Sequence, residues 1–116
     1  MDLNNAIAAH AAWKTKLRMA ITRKEAMDAG TISKDNQCEL GKWLYGEGKA
    51  KCGGHPEFTS LIEKHKAFHI EAGKVATLIN EKKFEQAEKS IDGQVPFATA
   101  SAAVGVAINA LKKVAV

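Results

Sequence analysis

The sequence predicts an all-α protein: an antiparallel four-helix bundle with one short helix and a proline-kinked last helix. Three observations predict it. Apolar residues recur in alternating steps of four and three along three long stretches, the spacing of a single buried helix face. Only two prolines occur among 116 residues, and runs of β-branched residues are absent. Alanine, the strongest helix former, is abundant. The length suits one core, so the chain reads as a single domain, residues 1–116.

The first helix is capped by Asp2 or by Asn4/Asn5, runs to about Ala29 and is ended by Gly30. Its stripe is Leu3, Ile7, His10, Lys14, Leu17 and Ile21, flanked by Ala6, Trp13, Ala20 and Met27. Lys14 departs from the pattern; its aliphatic stem can lie over the edge of the core. Thr31 to Lys34 is a connection. Ser33 or Asp35 caps a short second helix through Tyr45, which carries Cys38, Leu40, Gly41, Trp43 and Leu44. Gly46, Gly48, Gly53 and Gly54 then mark a loop of about ten residues, with Cys52 exposed inside it.

Pro56 stands at the first position of a third helix, which runs to about Glu81. Its stripe is Phe58, Ile62, His65, His69, Ala72, Ala76 and Ile79. A fourth helix starts near Lys83 or Phe84 and carries Phe84, Ala87 and Ile91. Pro96 removes a backbone hydrogen bond and clashes with the carbonyl four residues back. The reading is one long helix kinked near Gly93 to Pro96, with a break into two helices as the alternative. Beyond the proline the stripe continues as Phe97, Ser101, Val104, Ile108, Leu111 and Ala115. Ser101, Gly105 and Asn109, spaced by four, would let another helix approach closely.

The net charge is +4, but lysines and glutamates are interspersed. There is no arginine cluster or basic-aromatic stripe, so no nucleic-acid partner is expected. The opening Met1-Asp2-Leu3-Asn4-Asn5 has neither a basic start nor an apolar run, and no signal peptide is expected. Gly93 to Leu111 is uncharged and long enough to raise a membrane span. It is built of Ala, Ser, Thr, Gly and Asn rather than Leu and Ile, which favours a buried or dimer-forming helix and no membrane insertion. With cytoplasmic character, Cys38 and Cys52 are expected reduced, metal-bound or reactive rather than paired.

Three of the four histidines, His10, His65 and His69, occupy core stripes of two different helices. A buried polar group without a partner costs about 1–3 kcal/mol. His65 and His69 are four apart, so they project side by side and can turn two ring nitrogens to one ion. His10 alone reads as a satisfied core histidine, and Cys38 alone as a small buried hydrophobe. Together the four supply three imidazole nitrogens and one thiolate sulfur, a tetrahedral set suited to Zn²⁺. The soft thiolate argues against Mg²⁺ or Ca²⁺. The free ring N–H groups need a carboxylate or a backbone carbonyl, and Asp35, Glu39 and Glu71 are near in sequence. His55 reads as a helix-start residue and Cys52 as a loop residue. Trp13, Trp43 and Phe68 read as core packed around the site.

His10-Ala-Ala-Trp13-Lys14, Cys38-Glu-Leu40-Gly41-Lys42-Trp43-Leu44 and His65-Lys-Ala-Phe68-His69 resemble the three signature blocks of the chemoreceptor zinc-binding (CZB) domains of bacterial chemoreceptors and diguanylate cyclases. The resemblance spans about residues 3 to 111. It implies a helical bundle in the cytoplasm, often a homodimer, with His10, Cys38, His65 and His69 as zinc ligands. It also implies a role in chemotaxis or cyclic-di-GMP signalling, sensing zinc or oxidants such as hypochlorous acid. No methyl-accepting or cyclase domain accompanies these residues, so the chain reads as a free-standing member or an excised piece.

Cys38, on a short element beside a glycine-rich loop, is the ligand most able to leave and the expected redox switch. A purely structural zinc-binding helical domain, or an interaction module, without a sensing role is the alternative. An enzyme is the weakest reading, because four protein ligands close the position a catalytic zinc keeps open for water.

Overall fold

Pro56 to Asn80 forms the helix on which the rest of the chain leans. In the computed structural model, which describes residues 2–114, the elements are α1 (Leu3–Arg23), α2 (Ala29–Ile32), α3 (Glu39–Tyr45), α4 (Glu47–Cys52), α5 (Pro56–Asn80), α6 (Phe84–Lys89) and α7 (Pro96–Val114). All secondary structure among the described residues is helical. Three helices are long, as expected; four are short.

The predicted stripe of α5 is buried except for Ile62, which is half-buried. Leu61, Phe68 and Val75 widen it, so α5 meets neighbours on more than one side. Leu17 of α1 and Val104, Ile108 and Leu111 of α7 close the same core. Ala115, the last residue of the α7 stripe, lies outside the described residues.

Contacts at the ends give the directions. Lys112, in the last turn of α7, bonds to Asn4 at the start of α1, while Arg18 and Lys14 reach Asp92 just before α7. Thus α7 runs opposite to α1. Met27 beyond the end of α1 meets Asn80 at the end of α5, so α1 and α5 run the same way. The exposed ion pairs of Asp92 contribute less than about 1 kcal/mol each; they mark the register that the core sets.

Four details differ from the expectation. First, α1 stops at Arg23, not near Ala29, because Lys24 adopts the left-handed conformation (φ 55°) and its N–H closes on the Ala20 and Ile21 carbonyls. Gly30 is not a terminator; it lies inside the one-turn helix α2, capped by the Asp28 side chain. Second, the glycine-rich stretch is not a loop. It folds as α4, with Gly48 against the face of Trp43: a Cβ there would fall 2.7 Å from the indole ring.

Third, Cys52, expected exposed, is buried in the last turn of α4. Fourth, Pro96 breaks the last helix rather than kinking it. Gly93 turns the chain with φ 80°, and Pro96 begins α7, where its missing N–H has no partner to lose. No helix of the described residues is long and apolar enough to cross a membrane. The Ser101–Gly105–Asn109 line meets no helix at its centre, since a Cβ on Gly105 would have nothing within 4 Å.

Candidate metal centre

Helix spacing on α5 brings His65 and His69 together, with ring centroids 4.5 Å apart. His10 arrives from α1, its ring 4.9 Å from that of His65. Cys38 is the N-cap of α3 rather than a residue within the helix, and its sulfur accepts from the Gly41 N–H at 3.3 Å. The turn before it lies directly on α3: a Cβ at Gly41 would fall 1.8 Å from the Asp35 carbonyl oxygen.

One nitrogen from each imidazole and the Cys38 sulfur all lie within 4.8 Å of one another. His65 Nε2 is 3.0 Å from His69 Nε2, and Cys38 Sγ is 3.2 Å and 3.5 Å from these two atoms. A tetrahedral zinc with ordinary bond lengths would need N···N near ~3.3 Å and S···N near ~3.6 Å. The donors of Cys38, His65 and His69 therefore stand within a few tenths of an ångström of that geometry, and His10 completes the set within 4.8 Å.

The remaining ring nitrogens explain why these atoms converge. His10 Nδ1–H donates to the Ala6 carbonyl at 3.0 Å, one turn back on its own helix. His69 Nδ1–H donates to the Ile32 carbonyl at 2.9 Å, at the end of α2. Both rings are thereby held with the lone pair on Nε2, directed inward, and His10 Nε2 is buried with no hydrogen-bond partner. Acceptors facing acceptors in a buried cluster call for a cation between them. The residues present thus fit a tetrahedral metal ion. His65 Nδ1 is the other buried ring nitrogen without a partner.

Burial keeps the imidazoles neutral. Desolvation pushes His65 down to about 3, helped by the neighbouring His69 and His10. His10 and His69 are lowered for the same first reason, partly offset by the Ala6 and Ile32 carbonyls. Cys38 is raised by burial against the opposing pull of backbone N–H groups. The lone pairs are therefore available at neutral pH, whereas the thiol must give up its proton to an incoming ion.

The site is walled by Phe68 and Trp13, edge-on to His69 at 5.3 Å and 6.2 Å. It is not sealed. A cleft of about 370 Å³ between α1 and the start of α3 reaches both His10 and Cys38, past Asn5, Ala9, Trp13 and Lys16.

All four expected residues come together, and His55 and Cys52 do not join them. His55 caps α5, and neither cysteine is in a disulfide. The expected carboxylate partners are not the ring acceptors. Asp35 accepts from the Tyr45 hydroxyl, Glu71 pairs with Lys74, and Glu39 lines the cleft. The acceptors are the carbonyls of Ala6 and Ile32. The first was within reach of helix geometry, since it is the i−4 carbonyl; the second carries no sequence signal, because any residue at 32 offers the same group.

A family model for the chemoreceptor zinc-binding domain matches residues 10–76, more than half of the chain. The chain belongs to that family. No curated protein and no solved structure gives a match. The matched span of this CZB domain begins at His10 and holds all four clustered residues. It leaves out α6 and α7, which complete the core around them.

Proposed function

We propose that His10, Cys38, His65 and His69 hold Zn²⁺, and that the domain is a regulatory sensor of zinc, of oxidants, or of both. The observation that carries this is the convergence of four donor atoms within 4.8 Å, in a family described as zinc-binding. In this reading residues 1–116 act as one unit, with α3 and α4 in the place of the second helix of an antiparallel four-helix bundle.

When bound, zinc would keep Cys38 a thiolate at neutral pH. His65 and His69 share one rigid helix and His10 belongs to another, while Cys38 sits at the start of a seven-residue helix facing the cleft. It is the donor placed to react. Hypochlorous acid would oxidise the sulfur: the S–O bond forms as the O–Cl bond breaks, the thiolate's two electrons leave with chloride, and the hydroxyl proton stays on the sulfenic acid. A sulfenic acid is the poorer ligand, so α3 would be released from the histidines.

The protein is proposed to work in the cytoplasm as a homodimer and to signal to a chemoreceptor or a diguanylate cyclase. Val106, 70% exposed beside Gly105 on α7, supports the dimer. The family's description supports the chemoreceptor. The test is metal content of the purified chain with each of the four residues changed singly, then zinc release and helicity against oxidant dose. One equivalent of zinc, lost with Cys38 oxidation before the helices melt, is expected. Helices that melt while Cys38 is still reduced would overturn the sensing role.

A further inference from the structure

We propose that Asn80, about three turns (~16 Å) along α5 from His69, is a positioning residue for the metal centre. This rests on the zinc reading above. Asn80 grips the backbone of one residue at both its polar groups: its Oδ1 accepts from the Met27 N–H and its Nδ2 donates to the Met27 carbonyl, each at 2.7 Å. Met27 starts the segment that ends at Ile32, whose carbonyl orients the His69 ring.

Between them lies α2, a single turn, too short to hold a position by its own hydrogen bonds. Its place is set by what ties it to α5. Those ties are the Asn80 clamp at one end, the Ile32–His69 bond at the other, and a close seat for Ser33 on Gly73. A Cβ at Gly73 would lie 2.6 Å from that of Ser33, so the strap lies almost on the α5 backbone. Asp28 stiffens the span by accepting from the Thr31 N–H at 3.1 Å and its hydroxyl at 2.7 Å. Loosening the clamp would let the carbonyl drift from Nδ1 and the imidazole turn away from the common centre. Asn80 lies outside the residues 10–76 matched by the family model.

The test is Asn80→Ala in the full chain, with zinc affinity read by competition against a chromophoric chelator. Loss of a partner that orients a ligand weakens metal binding ~10–100-fold; acting one link further back, Asn80→Ala should weaken it about three- to tenfold. Asn80→Asp, which keeps the acceptor for the Met27 N–H, should recover part of this. In a His69→Ala background the same change should have no further effect, because the role runs through that ring. In the metal-free protein, exchange of the His69 Nδ1 proton should quicken. Equal losses in both backgrounds, or unchanged affinity and exchange, would overturn the proposal while leaving zinc binding intact. A wild-type chain that takes up no zinc would instead remove the metal reading on which it stands.

Discussion

Replacing Gly41 by alanine tests whether the turn over α3 places the sulfur. The new Cβ would start 1.8 Å from the Asp35 carbonyl oxygen, where ordinary contact begins at 3.4 Å, so one side must give by about 1.6 Å. Both sides are backbone, and no flexible side chain can absorb the move. Overpacking of this kind costs about 1–3 kcal/mol, and a rigid neighbour puts the cost at the upper end. Cys38 lies between the displaced turn and Gly41, and metal–ligand distances tolerate only about 0.2 Å. The expected protein is folded, keeps its three imidazole donors, and loses the sulfur. Cobalt substitution gives the assay: the sulfur-to-metal charge-transfer absorption of wild type should vanish or fall several-fold while the helical signal stays. Gly105→Ala is the control. Its added methyl meets open space, and helix propensity should stabilise it by up to about 1 kcal/mol with no change at the metal. A Gly41→Ala protein with full charge-transfer absorption and wild-type affinity would refute the argument.

Three further outcomes follow. Cys38→Ala should keep the fold and bind zinc more weakly, whereas His65→Ala removes a fully buried ring and should lower the melting temperature markedly; equal damage would favour a purely structural zinc. In the metal-free protein, His65 titrates near 3 folded and near 6.5 unfolded, so below 6.5 the unfolded chain binds the extra proton. Stability should therefore be complete above about pH 6.5 and fall as pH drops toward 3, by a few kcal/mol in all, with His10 and His69 adding in the same direction. Denaturant midpoints that stay flat from pH 7 to 4 would contradict this. Val106→Glu should turn a dimer into monomers without changing metal content, checked by sedimentation; an unmoved dimer would place the interface elsewhere.

The core faces of α1, α5 and α7 were legible in the sequence because apolar spacing is a helix's own signature. So was the centre, since histidines at core positions need an explanation that leucines do not. The end of α1 was not legible. Lys24 takes a conformation usually left to glycine, closed by backbone bonds to the Ala20 and Ile21 carbonyls that any residue could make. The glycines of α4 misled for another reason: they mark flexibility by default, yet Gly48 lets an indole ring lie against the helix. At α4 packing between elements overrode local propensity.

Cys38 serves two partners at once, the shared centre and the opening turn of α3. When the ion departs, the Gly41 amide keeps its acceptor, and α3 has no reason to unravel. The message leaving the centre would then travel as the shift of an intact peg, with Trp43 dragging α4 and the Phe58 end of α5 behind it. Distance probes across that corner would register it where a spectrum of total helix would stay mute.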